Sequence, residues 1–345
     1  MDKKYTIKDI AKLAGVSKGT VDRVLHGRGK VSQQANEKIK EVLKEIDYRP
    51  NPIARSLKNS KVYRIFVLLP DPKEDPYWIP ANQGIKDAIK EFKPFGVVVE
   101  KFFYDPKNRA SFLEKSKEAL ALSPDVLLMA PVFHKESLEV FENCQQQNVL
   151  VALFNNYIDI FNNENFIGQD LHQSGRVAAS LIDKMQPQTD TMAIVHINEE
   201  AHMRQKENGF KEYFEDLKTT SPTIITYSLN TKDLSQFRSS VFDFFKKHPK
   251  ISAVFITNSK AYHLVAALET LKREISIVGY DLLEENITLL LEGKIDFLIH
   301  QKPKQQAYLS VVNLAEHFLF DKPIPAQNLL PIDVITSENV SYYLN

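Results

Sequence analysis

Residues 6–25 read TIKDIAKLAGVSKGTVDRVL, and their spacing decides the fold of the N-terminal segment. Thr6, followed three residues later by Asp9, matches a capping box, which predicts that a helix starts here. Gly15 predicts the end of that helix, because glycine readily adopts the left-handed conformation of a C-cap. Between these signals the apolar side chains recur at the interval of one helical face, at positions 7, 10, 11 and 14.

Gly15 to Gly19 also match G-x-S-x-G, the motif that surrounds the nucleophilic serine of many hydrolases. That motif requires a strand before the serine, whereas the pattern before Ser17 is helical. We therefore interpret Ser17 as the N-cap of a second helix, whose apolar positions are Val21, Val24 and Leu25. The interpretation removes Ser17 from the candidate nucleophiles.

A third helix is predicted from about Ser32 to Tyr48, since Ile39, Val42, Leu43 and Ile46 lie on one side. Two short helices joined by a glycine turn and followed by a third form a helix-turn-helix unit. Residues 1–61 hold 15 Lys/Arg against 7 Asp/Glu, whereas the whole chain is balanced at 44 of each. A basic helical unit of this kind predicts binding to duplex DNA, with the first turn of the second helix at the base edges of the major groove.

The same segment resembles the headpiece and hinge of the LacI/GalR family of bacterial transcription regulators. The similarity runs from TIKDIAKLAGVSKGTVDRVLH at 6–26, through Val31-Ser32, to YRPNPIARSL at 48–57. It implies that residues 51–60 form a hinge helix on DNA and that Leu57 inserts into the minor groove. The DNA-binding residues that the resemblance implies are Thr6, Ser17, Lys18, Gly19, Thr20, Asp22, Arg23, His26, Asn51, Ala54, Arg55 and Leu57.

Asp22 departs from the serine that is commoner at this position of the family. An acidic group near phosphates is repelled, so two roles stay open: it accepts a hydrogen bond from a cytosine amino group, or it orients Arg23. Gly19 has no side chain, which limits direct readout there to the backbone.

After residue 62 the pattern changes to short apolar runs that alternate with amphipathic stretches. Such runs predict parallel strands covered by helices on both faces. The fold class predicted for the chain is therefore an all-α helix-turn-helix headpiece followed by an α/β effector domain of two doubly wound parallel-sheet subdomains. The runs are 65–69, 97–99, 126–129, 150–154, 192–195, 253–256 and 275–278, and the helical stretches include 82–93, 109–121 and 135–147.

Polar residues that follow these strands are candidates for a binding site, because open α/β sheets bind ligands at the carboxyl ends of their strands. Amides, carboxylates, cations and two adjacent aromatics suit a polyhydroxylated ligand, whose hydroxyls donate and accept while its C–H face stacks on a ring. The predicted ligand-binding residues are Asp75, Tyr77, Trp78, Asn155, Asn156, Arg204, Lys206, Asn258, Asp281 and Gln301.

The order of these motifs resembles the type I periplasmic sugar-binding proteins, whose fold forms the effector domain of the same regulator family. The resemblance implies that Tyr77 and Trp78 flank a ligand ring. It also implies that the polar members hydrogen-bond the ligand, namely Asn155, Arg204, Asn258, Asp281 and Gln301. The domains expected are a headpiece at 1–50, a hinge at 51–61 and an effector domain at 62–345. Its subdomains are expected at about 62–168 with 301–328 and at about 169–299 with 330–345, with crossings near 168, 300 and 329.

Other classes of site find little support in the sequence. His196 and His202 are six residues apart, a spacing that HExxH and HxxEH zinc sites do not have, so a loop is the better interpretation. Gly27-Arg28-Gly29 lacks the third glycine of a dinucleotide loop, and no GK[ST] phosphate motif occurs. We therefore predict no metal, no cofactor and no catalytic residue.

Localisation and partners follow from the same observations. No apolar run is long enough to span a bilayer, MDKKYTIKDI lacks the apolar centre of a signal peptide, and Cys144 is the single cysteine, which together predict a cytoplasmic protein. The predicted function is a transcription repressor that binds a palindromic operator as a homodimer and responds to a small ligand, most readily a sugar. The alternatives are a purine or polyol effector, a DNA-binding sugar enzyme, and a transport binding protein, which the headpiece argues against.

Overall fold

The computed structural model describes residues 5–25, 29–46, 48, 62–158, 165–186, 191–198, 200, 202–217, 222–271 and 273–344. The chain divides into two compact units, residues 1–60 and 61–345. The hinge predicted at 51–61 lies outside the described residues. So do five of the predicted DNA-binding residues, namely His26, Asn51, Ala54, Arg55 and Leu57.

The N-terminal unit contains three helices, α1 (Ile7–Ala14), α2 (Lys18–Leu25) and α3 (Gln33–Glu45). The capping box that begins α1 is confirmed: Thr6 N donates to Asp9 Oδ2 at 2.8 Å, and Asp9 N donates to Thr6 Oγ1 at 3.3 Å. Gly15 ends α1 with a φ of 62°, as predicted. The third helix is shorter than predicted, because it ends at Glu45 instead of reaching Tyr48. The core of the unit consists of Ile10, Ala11, Ala14, Val21 and Ile39.

Ser17 caps the second helix and has no nucleophile geometry. Its Oγ accepts a hydrogen bond from Thr20 N at 3.1 Å and lies 2.9 Å from Thr20 Oγ1. The segment before it is α1, so the strand that a nucleophile elbow requires is replaced by a helix. The prediction of an N-cap is confirmed.

The second unit is built on two six-stranded sheets. The first sheet has the order β11-β5-β4-β3-β1-β2 and consists of β1 (Tyr63–Pro70), β2 (Val97–Tyr104), β3 (Val126–Met129), β4 (Leu150–Asn155), β5 (Phe166–Gly168) and β11 (Gln327–Leu329). The second sheet has the order β12-β10-β9-β8-β6-β7 and consists of β6 (Thr191–Ile197), β7 (Thr223–Leu229), β8 (Ala253–Ile256), β9 (Ser276–Tyr280), β10 (Phe297–His300) and β12 (Asp333–Ile335). Every pairing is parallel except that of β10 with β12.

Helices cover both faces of each sheet. The first lobe is the first sheet with α4 (Trp78–Phe92), α5 (Arg109–Ala121), α6 (His134–Gln146) and α12 (Pro303–Phe320). The second lobe is the second sheet with α7 (Leu171–Met185), α8 (Met203–Asp216), α9 (Leu234–Lys247), α10 (Ala261–Leu268) and α11 (Glu284–Leu291). No helix in the described ranges is both long and apolar enough to cross a membrane.

The predicted fold class is confirmed, and the apolar runs coincide with interior strands except for the run at 97–99, which lies in the edge strand β2. In β3 all four residues are buried, as a strand covered on both faces requires. Strand β7 carried no such signal, because it lies at the edge of its sheet and mixes exposed with partly buried residues. The three-residue strands β5, β11 and β12 are too short for a periodic pattern to reveal.

The chain passes between the two sheets three times: after β5, after β10, and between β11 and β12. Gln169 lies in the first of these linking segments, directly after β5, and its side chain contacts the other two segments. Its Nε2 donates to His300 O at 3.0 Å and to Pro331 O at 2.9 Å. One buried side chain therefore joins all three segments that link the lobes.

Each lobe contains a pair of helices in very close contact at a glycine. A Cβ added to Gly84 of α4 would lie 2.1 Å from Lys304 O of α12. A Cβ added to Gly209 of α8 would lie 1.9 Å from His172 O of α7. Only glycine allows the two backbones to approach this closely, so these positions fix where α12 and α8 lie against their lobes.

Candidate functional site

A cavity that opens to solvent lies at the carboxyl ends of strands from both sheets, with about 370 Å³ of empty space when the open mouth is included. The residues that line it are Asp75, Tyr77, Trp78, Asn155, Asn156, Glu200, His202, Asn258, Ser259, Lys260, Asp281 and Gln301. The structure thus brings together eight of the ten residues predicted to bind ligand.

Two aromatic residues form one wall of the cavity. Tyr77 and Trp78 follow β1 at the start of α4, and their rings meet edge to face at 5.1 Å. Trp78 in turn packs edge to face on Phe154, with ring centroids 6.1 Å apart. Burial, with the nearby charge of Asp281, raises the pKa of Tyr77 well above its ordinary value. The Tyr77 hydroxyl therefore stays protonated and offers an apolar ring with a hydrogen-bonding edge.

Asn155 ends β4 with a φ of 68°, a left-handed conformation that asparagine tolerates better than most residues. Its Nδ2 donates to the Tyr77 hydroxyl and to Gln306 Oε1, the latter at 3.3 Å. Asn156 Nδ2 donates to Pro131 O at 3.1 Å. Both amides are fixed by the first lobe before a ligand enters.

Asp281 and Gln301 form the corresponding polar group of the second lobe. Asp281 follows β9 with a φ of 63°. Its carboxylate accepts from Gln301 N at 3.0 Å and from Gln301 Nε2 at 2.6 Å. Asn258, which follows β8, donates to Ile197 O at 2.6 Å. These bonds hold the ends of β6, β8, β9 and β10 in one layer below the cavity.

The other two predicted ligand residues do not line the cavity. Arg204, in the first turn of α8, is exposed. Lys206 is completely buried: its Nζ donates to Thr257 O at 3.0 Å and lies 3.6 Å from the centroid of the Tyr280 ring. Burial lowers the pKa of Lys206 to about 8, against the opposing charges of Asp281 and Glu200. Lys206 supports the layer beneath the site.

The sequence reasoning missed Glu200, His202, Ser259 and Lys260 as lining residues. Glu200 and His202 follow β6, and Ser259 and Lys260 follow β8, so the rule that ligands bind at strand ends would have found them. From the sequence, the stretch from His196 to His202 is interpreted as a loop and a zinc site is excluded there, without its residues being assigned to ligand binding. Lys260 Nζ lies 3.9 Å from Asp75 Oδ2, and His202 Nδ1 lies 3.4 Å from Glu200 Oε2.

His196, the other histidine of that stretch, belongs to a buried hydrogen-bond network. Its Nδ1 lies 2.8 Å from Thr257 Oγ1 and its Nε2 lies 2.8 Å from Glu207 Oε2. Glu207 also accepts from Thr226 Oγ1 at 2.7 Å. Within the described ranges, no three His, Cys, Asp or Glu side chains converge in a way that could hold a metal ion.

The second helix of the N-terminal unit presents the residues predicted to contact DNA. Lys18, Gly19 and Arg23 are exposed, Thr20 and Asp22 are partly exposed, and Val21 is buried in the three-helix core. Thr6 and Ser17, at the starts of α1 and α2, are also exposed. Helix α2 therefore combines Lys18 and backbone N–H groups at its N-terminal end with Arg23 in its last turn, a combination that suits phosphate binding.

Two family models match this chain, one for each unit. A model of the periplasmic binding protein domain matches residues 65–322, and a model of bacterial regulatory proteins of the lacI family matches residues 6–51. The HTH-type transcriptional regulator RegA of Clostridium saccharobutylicum is 31% identical over 146 residues, which are 42% of this chain and 43% of RegA, so that match spans less than half of either protein.

Two further similarities extend over most of the chain. The ribose operon repressor of Halalkalibacterium halodurans is 23% identical over 286 residues, which are 80% of each protein. Among solved structures, a Bacteroides fragilis protein described as a LacI transcriptional regulator superposes with a TM-score of 0.76 at 28% identity, over 82% of this chain and 100% of that one.

Proposed function

We propose that this chain, which belongs to the periplasmic binding protein domain family and carries a lacI-family domain at residues 6–51, is a transcription repressor controlled by a sugar. The observation that carries the proposal is that one chain combines a basic helix-turn-helix unit with a cavity lined by hydrogen-bonding groups and two aromatic rings. The first part suits DNA and the second suits a polyhydroxylated metabolite.

DNA binding is assigned to α2. Lys18 and Arg23 project from it into solvent, and Ser17 caps its N-terminus, which leaves backbone N–H groups facing outward. One such helix covers only half of an operator, so we propose that two copies of the chain bind a palindromic site as a homodimer. By resemblance to the family, we also propose that residues 51–60 form a hinge helix on DNA and that Leu57 inserts into the minor groove.

Ligand binding is assigned to the cavity between the loops of the two lobes. Tyr77 and Trp78 offer a ring wall, while Asn155, Asn258, Asp281 and Gln301 offer donors and acceptors already held in place by the protein. The ribose operon repressor, which matches 80% of this chain, supports a sugar. A ligand that contacts both lobes changes their separation, and a hundredfold change in operator affinity requires about 2.7 kcal/mol of differential binding.

The DNA arm is tested by selecting duplexes from a random library with the full-length protein and measuring binding by gel shift. The wild-type protein is expected to select an inverted repeat. Arg23→Ala is expected to lower operator affinity at least about tenfold, or 1.4 kcal/mol, and to leave ligand affinity unchanged. Arg238→Ala, which removes an exposed arginine of α9, is the matched control and is expected to bind like wild type. Selection of no inverted repeat by a monomeric protein would refute the proposal.

The ligand arm is tested by thermal shift over monosaccharides, disaccharides, polyols and purines, because a bound ligand raises the melting temperature by mass action. A stabilising sugar is expected, and it should alter operator binding in the gel shift. A polyol or a purine as the only hit would replace the sugar and keep the regulator. Chemical turnover of the hit, followed by chromatography, would favour the alternative of a sugar enzyme.

A further inference from the structure

The cavity contains three carboxylates, and the cations around them identify one that is unbalanced. Asp75, Glu200 and Asp281 all line it, whereas Lys260 is the one lysine among the described lining residues and no arginine is present there. A second lysine, Lys206, lies immediately below, with its ammonium on the Tyr280 ring. The site therefore has three acidic groups and two basic ones.

Two of the carboxylates are held by groups of the protein, one by a lysine and one by hydrogen bonds. Asp75 Oδ2 faces Lys260 Nζ at 3.9 Å, and the two side chains are only 16% and 18% exposed. Asp281 accepts two hydrogen bonds from Gln301, and the buried ammonium of Lys206 interacts with both Asp281 and Glu200. When the site is empty, Asp75 is thus ion-paired and Asp281 is hydrogen-bonded by the protein.

Glu200 is the third carboxylate, and its partner is an imidazole. His202 Nδ1 lies 3.4 Å from Glu200 Oε2, and burial together with the charges of Lys206 and Lys260 lowers the pKa of His202 well below its ordinary value. The imidazole is thus neutral near pH 7. No lysine or arginine nitrogen of the described residues lies within ion-pair distance of Glu200. Placing an uncompensated carboxylate in such a site is costly unless a cation arrives.

We propose that Glu200 makes the cavity selective for a sugar that carries a protonated amino group, which it binds as an ion pair. This inference rests on the proposed function, since it names the class of sugar for the same cavity. A neutral sugar can donate a hydroxyl to Glu200 but supplies no positive charge to pair with the carboxylate. A sugar phosphate or sugar acid would meet three carboxylates. An ammonium completes the charge balance and forms the stronger, charge-assisted hydrogen bond.

Proton release is the second consequence. Burial raises the pKa of Glu200 to about 7, against the opposing charge of Lys260, so a fraction of the empty sites is protonated near neutrality. The groups that face Glu200 are Asp75, His202, Lys206, Lys260 and the hydroxyls of Tyr77 and Tyr104. An arriving ammonium stabilises the carboxylate form, so a proton is released as the amine binds.

The test is titration calorimetry of the full-length protein with matched sugars: glucose, glucosamine and N-acetylglucosamine, and the same three derivatives of galactose and mannose. At least one amino sugar is expected to bind about tenfold more tightly than both its parent and its uncharged N-acetyl form. Its affinity should rise from about pH 6 to about pH 7.5, with a proton released at the lower pH and detected in buffers of different ionisation heat.

Glu200→Gln keeps the shape of the side chain and removes its charge, so it should abolish the preference for the amine, the proton release and the pH dependence. Glu215→Gln, which removes an exposed carboxylate of α8, should keep all three. Equal binding of amine and parent, or equal loss of both in Glu200→Gln, overturns this inference and leaves the proposed function standing. Binding of none of these sugars overturns this inference alone, and the wider thermal-shift screen then decides the proposed function.

Discussion

The two lobes share a strand order and a cavity, but the polar side chain buried beneath the cavity differs between them. In the first lobe it is Gln306 of α12, whose Oε1 accepts from Asn155 and whose Nε2 donates to Gln301 O at 2.5 Å. In the second lobe it is Lys206 of α8, which donates to Thr257 O and lies on the Tyr280 ring. One lobe is supported by neutral amides and the other by an ammonium.

The difference separates two ways of building a binding site. Neutral hydrogen bonds hold Asn155 and Tyr77 in the same geometry at every ordinary pH, which suits the recognition of ligand shape. The ammonium under the second lobe, with Glu200, His202 and Asp281 around it, makes that lobe sensitive to protons and to the charge of the ligand. We therefore propose that the second lobe contributes more to selection by charge and the first lobe more to selection by shape.

The largest effect on the free energy of unfolding is expected at the close helix–helix contacts, which both lobes contain. Gly84→Ala and Gly209→Ala should each lower the free energy of unfolding by about 3–5 kcal/mol, because the new Cβ would meet a backbone carbonyl oxygen that cannot move without the helix. Denaturant unfolding measures the change. Gly19→Ala is the control: its Cβ would lie 3.7 Å from Ser17 Oγ, and alanine in an open helix position should be neutral or slightly stabilising.

If the two glycine variants instead unfold like wild type, the lobes tolerate separation of these helices and the packing argument is wrong. A large loss for Gly209→Ala with none for Gly84→Ala would sharpen the comparison, since it would make the second lobe the more rigidly packed one.

The second-largest effect is a pH dependence of stability, and it should arise only from the second lobe. Because the folded pKa of Lys206 is about 8 and its ordinary value is 10.5, the unfolded chain binds more protons between these values, so Lys206 adds stability as the pH rises from about 8 to about 10.5. The gain is at most about 3 kcal/mol. Lys206→Met should lack it. Denaturant unfolding of the wild type and the variant across this pH range measures the difference in the free energy of unfolding. Parallel pH curves would mean that the pKa of Lys206 is not lowered in the folded protein.

The smallest effect is expected in the first lobe. Gln306→Leu removes one hydrogen bond from Asn155 and leaves Gln301 O without its amide partner, which should cost about 1–2 kcal/mol. Since all these groups are neutral, the cost should be the same at about pH 6 and about pH 9. A cost that grows with pH would erase the proposed contrast between the lobes.

The sequence predicted the fold wherever an element had a strong local signal. Thr6, Asp9 and Gly15 define the ends of α1 through hydrogen bonds to residues no more than four positions away. The apolar run Val126–Met129 indicates a strand that is covered on both faces. Strand β7 was not predicted because its exposure is set by its place at the sheet edge, which depends on residues far away in the chain.

The site was predictable in part for the same reason. Asn155, Asn258 and Asp281 lie within about three residues of the ends of apolar runs, and the carboxyl ends of parallel strands meet at one edge. Arg204 and Lys206 are two positions apart on α8, so which of them faces the lobe depends on the rotation of that helix, and the contact at Gly209 sets that rotation. The roles of the lining residues in ligand binding stay predictions.

Gln169 has a mechanical consequence for the two lobes. Its amide donates to His300 O and to Pro331 O, so one side chain connects the three linking segments and restricts their independent bending. A rotation of one lobe against the other that displaces these segments relative to Gln169 would strain both hydrogen bonds. We therefore expect the three linking segments to move together when the lobes rotate.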